Sequence, residues 1–287
     1  MSSTETLPTA LAAFDDARRS FLEALAAAPD ASLRYLRPGD DYAIGGLVFH
    51  VNVILEHYLG VLDNLVTGGF RETEASDRPG LFEEGNARAR SGMTPAERSA
   101  ALAATERLHG AVRSRLAALA PGDFGRRAPV RYAPGGDPLP TSPADVVGWL
   151  TDHYREHVPQ VGDLVADWRR NGATLAAIDA FNDAFGRGDV AAIMACMTDD
   201  CVFENTFPAP DGERHVGADA VRGFWERFFA ATAAPRFETE ELVVAGDRAV
   251  ARWVFHWSGD DPGHVRGVDV LRVRDGKVAE KLSYVKG

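Results

Sequence analysis

Three histidines in the first half of the chain carry the most chemical information. His153 and His157 stand four residues apart in TSPADVVGWLTDHYREHVPQV. That spacing is one helical turn, so both imidazoles leave the same helix face, roughly 6 Å apart at Cβ. His50 lies in a second strongly helical stretch, GGLVFHVNVILEHYLGVL. Two ligands from one helix and one from another make a facial set of three nitrogens on a divalent metal, with positions left for water or a substrate thiol. The alternative is that each is a satisfied polar residue on a helix. His57, seven residues after His50, shares that face about 10 Å further along. It is a rival ligand, a base beside the metal, or packing.

The elements that must position these residues can be read from periodicity and caps. Apolar spacing predicts helices over 8–28 and 42–67, the first ended by Pro29 and the second by Gly68 and Gly69. Thr94-Pro95-Ala96-Glu97 starts a third helix to about Ala120, with a threonine cap, proline in the first turn and glutamate at the third position. Residues 121–141, rich in Pro, Gly and Arg, read as a long loop. Ser142-Pro143 then caps a fourth helix to about Arg170, with Pro159 a kink. Four helices make a bundle whose core can hold a metal between facing helices. Composition shifts at Arg170-Asn171-Gly172-Ala173, which divides the chain into domains 1–172 and 173–287. The second reads as helices at 174–186 and 189–197, a strand at 200–206 and a helix at 217–231. Strands at 236–245, 248–258 and 264–285 follow, the last split into a hairpin by Asp275-Gly276. Helices followed by a long antiparallel meander describe an α+β cone with a curved sheet.

Composition narrows the function. Length and 45% hydrophobic content suit two packed domains. The net charge is −11 and no basic cluster occurs, which argues against a nucleic-acid role. The N-terminus lacks a signal-peptide pattern and no uncharged apolar run approaches bilayer length, so a cytoplasmic protein without a membrane role is expected. Cys196 and Cys201 give no disulfide framework and read as structural thiols. The three lysines, Lys277, Lys281 and Lys286, all fall near the C-terminus.

His-Tyr-Arg-Glu-His (153–157) fits the H-x-x-E-H pattern of inverted zinc peptidases, but five residues recur by chance and those enzymes have other folds. Helix order, the long loop before helix four and the three histidines give residues 8–170 a resemblance to the DinB-like superfamily, which includes thiol-dependent maleylpyruvate isomerases and thiol S-transferases. The resemblance implies a four-helix bundle binding zinc, nickel or iron through His50, His153 and His157, and a low-molecular-weight thiol such as mycothiol. The isomerase branch carries Glu-x-x-x-His on helix four. This chain has His-x-x-x-His, closer to the transferase and uncharacterised branches, which leaves the substrate open. Glu156 lies about 100° round the helix from its neighbouring ligand and reads as solvated. Arg126, Arg127 and Arg131 could hold the carboxylates of a thiol cofactor or belong to a soluble loop.

The second domain resembles the SnoaL-like branch of the nuclear transport factor 2-like superfamily. The carriers are AFNDAFGRGDVAAIMACMTDDCVFEN, GADAVRGFWERFF and RGVDVLRVRDGKVAEKLSYVK. This fold hosts cyclases, isomerases, hydrolases, dehydratases and inert binding modules. Matched to ketosteroid isomerase, the enolate-stabilising acid falls on Asp269, the general base on Asn205 and the phenol on Phe181. Two of the three groups are therefore missing, and that reaction is not expected. Ser283 takes the place of one aspartate of limonene epoxide hydrolases. Alternation puts Lys281, Ser283 and Val285 on the face that the resemblance makes a pocket, with Asp269. Arg252, Val254 and His256 are expected there too, and Trp253, Phe255 and Trp257 on the opposite face, under a partner surface. Asp269 and Lys281 are then a charged acid–base dyad with His256 as a third catalytic candidate. Asn205, Arg252, Ser283 and Tyr284 are candidate substrate contacts. The plainer alternative is a structural ion pair in an empty cone.

Three functions follow. One is a metal-dependent transferase or isomerase acting on a small organic substrate in specialised metabolism or detoxification, with the cone as second pocket. Another is a SnoaL-like cyclase, isomerase or dehydratase with a structural bundle. The third is a non-enzymatic small-molecule binding protein. A homodimer is a candidate assembly.

Overall fold

The computed structural model describes residues 6–232, 236–258 and 262–286. Contacts divide the chain into two units, Met1–Ala166 and Asp167–Gly287.

In the first unit the long helices are α1 (Leu7–Ala27), α2 (Leu47–Thr67), α4 (Pro95–Ala117) and the first part of α5 (Pro143–Gly186). Their buried residues follow helical spacing: Phe14, Ala17, Phe21 and Leu25 on α1, and Ala101, Thr105, His109, Val112 and Leu116 on α4. The predicted cap of α4 is present. Thr94 Oγ1 accepts from Glu97 N, and Glu97 Oε2 accepts from Thr94 N at 2.8 Å. Ser142 and Asp145 make the same reciprocal pair at the start of α5. Each cap satisfies two backbone donors that a helix end leaves open.

The loop expected at 121–141 contains two short strands, and the segment between α2 and α4 is ordered as well. Leu81–Ser91 forms α3, and Thr73–Glu74 (β1), Ala128–Arg131 (β2) and Leu139–Thr141 (β3) make a small sheet in the order β1-β2-β3. Helix α3 packs against the start of α2 so closely that a Cβ on Gly46 would lie 1.7 Å from the Ala89 carbonyl oxygen. By length and composition the stretch Ile44–Thr67 could cross a bilayer, but half of it is buried inside the protein.

The second unit contains the end of α5, α6 (Val190–Ala195) and α7 (Ala218–Ala231). Its strands are β4 (Met197–Glu204), β5 (Arg214–Val216), β6 (Arg236–Ala245), β7 (Arg248–Trp257), β8 (Gly263–Arg274) and β9 (Lys277–Val285). They form one six-stranded sheet in the order β5-β4-β9-β8-β7-β6. All neighbours are antiparallel except β4 and β9, which run parallel and make the sheet mixed. Asp275 and Gly276 both take positive φ, 52° and 72°, as the tight turn between β8 and β9 requires.

Helix α5 runs through Arg170-Asn171-Gly172-Ala173, where a break was expected. The reason is tertiary. Asn171 Oδ1 accepts from Gly246 N in the β6–β7 turn, and Thr174 Oγ1 donates to Gly246 O at 2.8 Å. These bonds offset the weak helix propensity of Asn-Gly.

Candidate functional site

In the bundle, His50 projects from α2 and His153 and His157 from α5. One ring nitrogen of each lies within 4.8 Å of the others. Ring centroids are 4.8 Å apart for His50–His153, 5.1 Å for His50–His157 and 4.5 Å for His153–His157. Burial, with the neighbouring imidazoles adding to it, pushes His50 down to about 4 and His153 down to about 3. Burial also lowers His157, against the opposing pull of its bond to Gln160. All three are therefore neutral near pH 7, with lone pairs available to a Lewis acid.

Two details fit a metal. Nε2 of His153 and of His157 are buried without a hydrogen-bond partner. His157 Nδ1 lies 2.6 Å from Gln160 Oε1, an oxygen that can only accept. That contact places the proton on Nδ1 and leaves the Nε2 lone pair free, the arrangement typical of metal-ligating histidines. Tyr42 stacks on His50 at 4.3 Å and meets the edge of His157 at 6.3 Å. Neither Gln160 nor Tyr42 was singled out from sequence. Gln160 stands three residues after His157, a helical neighbour spacing that could have flagged it.

His57 is not part of this group. Its Nδ1 is 2.9 and 3.0 Å from the two carboxylate oxygens of Asp77. Glu156 is also outside the group. The loop arginines are engaged locally: Arg126 with Asp123, Arg127 with Asp145, and Arg131 with Glu72. Their opposite charges are supplied by the chain itself.

The cone encloses a cavity of about 210 Å³. Its polar floor is a closed ring of hydrogen bonds. Lys281 Nζ lies 2.8 Å from Asp269 Oδ2 and donates to Ser283 Oγ at 2.9 Å, while Ser283 Oγ donates to Asp269 Oδ1 at 2.7 Å. Asp269 and Lys281 are only 8% and 9% exposed. Lys281 Nζ also lies 5.2 Å from the centre of the Phe203 ring.

The structure corrects the expected facing of β7. Ala251 stands opposite Asp269, and Asp269 opposite Ser283, so Ala251, Trp253 and Phe255 share the cavity face. Directly opposed residues in a sheet point the same way. Gly267 opposes Trp253, and a Cβ there would lie 2.4 Å from the indole. Trp253 and Phe255 therefore line the cavity and do not await an outside cover, while Trp257, at the end of the strand, is exposed. Arg252 points away, exposed, and pairs with Glu240 and Glu241. His256 is opposite His264 and lies 3.9 Å from Glu238, remote from the dyad in register. Tyr284 opposes Val268 on the outer face and is 49% exposed. Asn205 lines the cavity, but its Oδ1 accepts from Phe207 N and Glu213 N, so it braces the loop after β4. Phe185, Phe224, Phe228 and Phe237 complete the aromatic wall and were not anticipated. The four-residue spacings Phe181/Phe185 and Phe224/Phe228 were visible signals.

Comparison with known proteins agrees with both halves. The model of the DinB superfamily matches residues 13–161, just over half of the 287-residue chain, and the model of the SnoaL-like domain matches residues 178–281. No curated protein matches the chain. Among solved structures, an NTF2-like protein of unknown function from Mesorhizobium loti is 44% identical, covering 41% of this chain and 94% of its own, with a TM-score of 0.38. A candidate polyketide cyclase from Xanthomonas campestris pv. campestris is 22% identical over 41% of this chain and 93% of its own, at a TM-score of 0.35. An LEH-like epoxide hydrolase from M. tuberculosis is 18% identical over 40% of this chain and 84% of its own, at a TM-score of 0.36. The chain belongs to the DinB superfamily and joins its N-terminal DinB-like domain to a C-terminal SnoaL-like domain.

Proposed function

We propose that the chain is a metal-dependent enzyme of the DinB-like transferase or isomerase type, acting on a small organic substrate in specialised metabolism or detoxification. One observation carries the reading. Three neutral imidazoles from two helices meet in a buried group, and two of their nitrogens have no partner. Leaving such atoms unpaired costs about 1–3 kcal/mol each. A divalent ion held by His50, His153 and His157 removes that cost, and three imidazoles suit zinc, with nickel or iron as rivals.

A bound ion of this kind lowers the pKa of a water or thiol that it binds. The chain's own residues orient the donors. Gln160 holds the proton of His157 on Nδ1, and the Tyr42 ring fixes the plane of His50. A low-molecular-weight thiol such as mycothiol is the co-substrate that the DinB-like resemblance suggests. The cone, with Lys281, Asp269 and Ser283 on its floor, serves as a second binding or catalytic pocket.

The test is elemental analysis of protein purified without chelator, beside a thiol-dependent activity screen. A stoichiometric divalent metal and metal-dependent turnover are expected. Metal-free protein that remains active would overturn the reading. It would favour instead a SnoaL-like cyclase, isomerase or dehydratase with a structural bundle, which the polar-floored cavity also supports.

A further inference from the structure

The cone floor carries a primary amine in unusual surroundings. Lys277 and Lys286 are exposed, whereas Lys281 is buried and lines the cavity. A lysine ammonium has three N–H donors. Two are used on Asp269 and Ser283, and the chain gives the third no hydrogen-bond acceptor among the described contacts. Most of the remaining lining is aromatic, including Phe181, Phe203, Phe228, Trp225 and Trp253. Such a wall favours a flat ring system stacked or edge-on against it. At about 210 Å³ the cavity is smaller than the roughly 300–1,000 Å³ of pockets that hold drug-sized ligands. One or two rings fit that space.

We propose that Lys281 is a carbonyl-capturing amine, forming an imine with an aldehyde or ketone borne on a one- or two-ring aromatic or conjugated molecule. The proposal rests on the reading of the cone as a binding pocket. Asp269 takes a proton from Nζ, directly across 2.8 Å or through the Ser283 hydroxyl. The freed amine lone pair attacks the carbonyl carbon, the C=O π pair moves onto oxygen, and a proton passes from the new ammonium nitrogen to that oxygen to give a carbinolamine. Asp269 returns the proton to the departing hydroxyl, which leaves as water while the C=N bond forms. Overall, ammonium and carbonyl compound become iminium and water, and Asp269 ends as carboxylate.

The experiment uses the full chain, 2-naphthaldehyde and sodium cyanoborohydride, with peptide mapping of the reduced adduct. Three lysines make the assignment unambiguous, because Lys277 and Lys286 are internal controls. The adduct is expected on Lys281 in clear excess, and its loss in Lys281→Arg. Ser283→Ala and Asp269→Asn should slow its formation, the latter by about 10²-fold. Ser283→Ala keeps the ion pair, so it remains informative if Asp269→Asn folds poorly. Tryptophan fluorescence, reporting Trp225 and Trp253, measures binding of the aldehyde and of the corresponding alcohol. Labelling of Lys277 or Lys286 as strongly as Lys281, or no adduct at all, overturns the proposal. If both compounds bind without an adduct, the amine chemistry fails and the pocket stands. If neither binds, the pocket reading falls as well.

Discussion

The bundle centre and the cone floor treat buried polar groups in opposite ways. In the bundle, three uncharged imidazoles crowd together and two nitrogens lack partners. On the cone floor, a buried acid, hydroxyl and amine satisfy one another in a closed ring. The first arrangement is incomplete without something electron-poor. The second is complete as it stands, and a ligand must compete with it or use its spare donor. Unpaired nitrogens therefore point to a metal, whereas a satisfied ring is compatible with structure as well as chemistry.

Four experiments can break or sharpen that contrast. The largest effect is expected at His153. His153→Ala should remove most of the bound metal, measured by elemental analysis, because two nitrogens rarely retain a labile ion. Undiminished metal in that variant would break the comparison.

Acid should come next. In chelated protein, His50 and His153 are held neutral to about 4 and about 3, while in the unfolded chain they protonate near 6.5. Between these values the unfolded chain binds more protons, so stability is full above about 6.5 and falls as pH drops towards 4 and below. Denaturant melts across that range check it. A flat profile would mean that the imidazoles are more solvated than their burial implies.

The third test concerns the cone. Asp269→Ala leaves Lys281 charged and unpaired, and removing one partner of a buried pair costs about 3–5 kcal/mol. The pair is slightly open to solvent, which places the expectation near the lower figure, read as a shift in urea midpoint. A shift below about 1 kcal/mol would show the floor to be wet. The smallest effect is expected for Gly267→Ala. Its methyl meets both the Trp253 indole and the Tyr284 backbone carbonyl oxygen, and overpacking of this kind costs about 1–3 kcal/mol. A change in tryptophan emission should accompany it, since Trp253 would be pushed into the cavity.

Local features were legible in the sequence. Thr94 with Glu97 and Ser142 with Asp145 cap helices through bonds within three residues of themselves. The spacing of His153 and His157 fixes their common face because helical period is a property of the chain alone. The Asp275-Gly276 turn and the alternation of Lys281 and Ser283 depend on equally short stretches.

What the tertiary structure decided lies beyond that range. Choosing His50 over His57 required Asp77, twenty residues on, to occupy His57. Keeping α5 intact through Asn171-Gly172 required the distant Gly246 backbone. The facing of β7 required its register against β8. Buried residues occur on both faces of β7, with Ala251 and Trp253 on one and Val254 on the other, so the sequence offers no clean alternation. A one-residue error there moves Arg252 and His256 into the cavity and Trp253 and Phe255 out of it. Sequence determines side-chain period within an element. Which face of that period meets the core is set by partners that only the folded chain brings alongside.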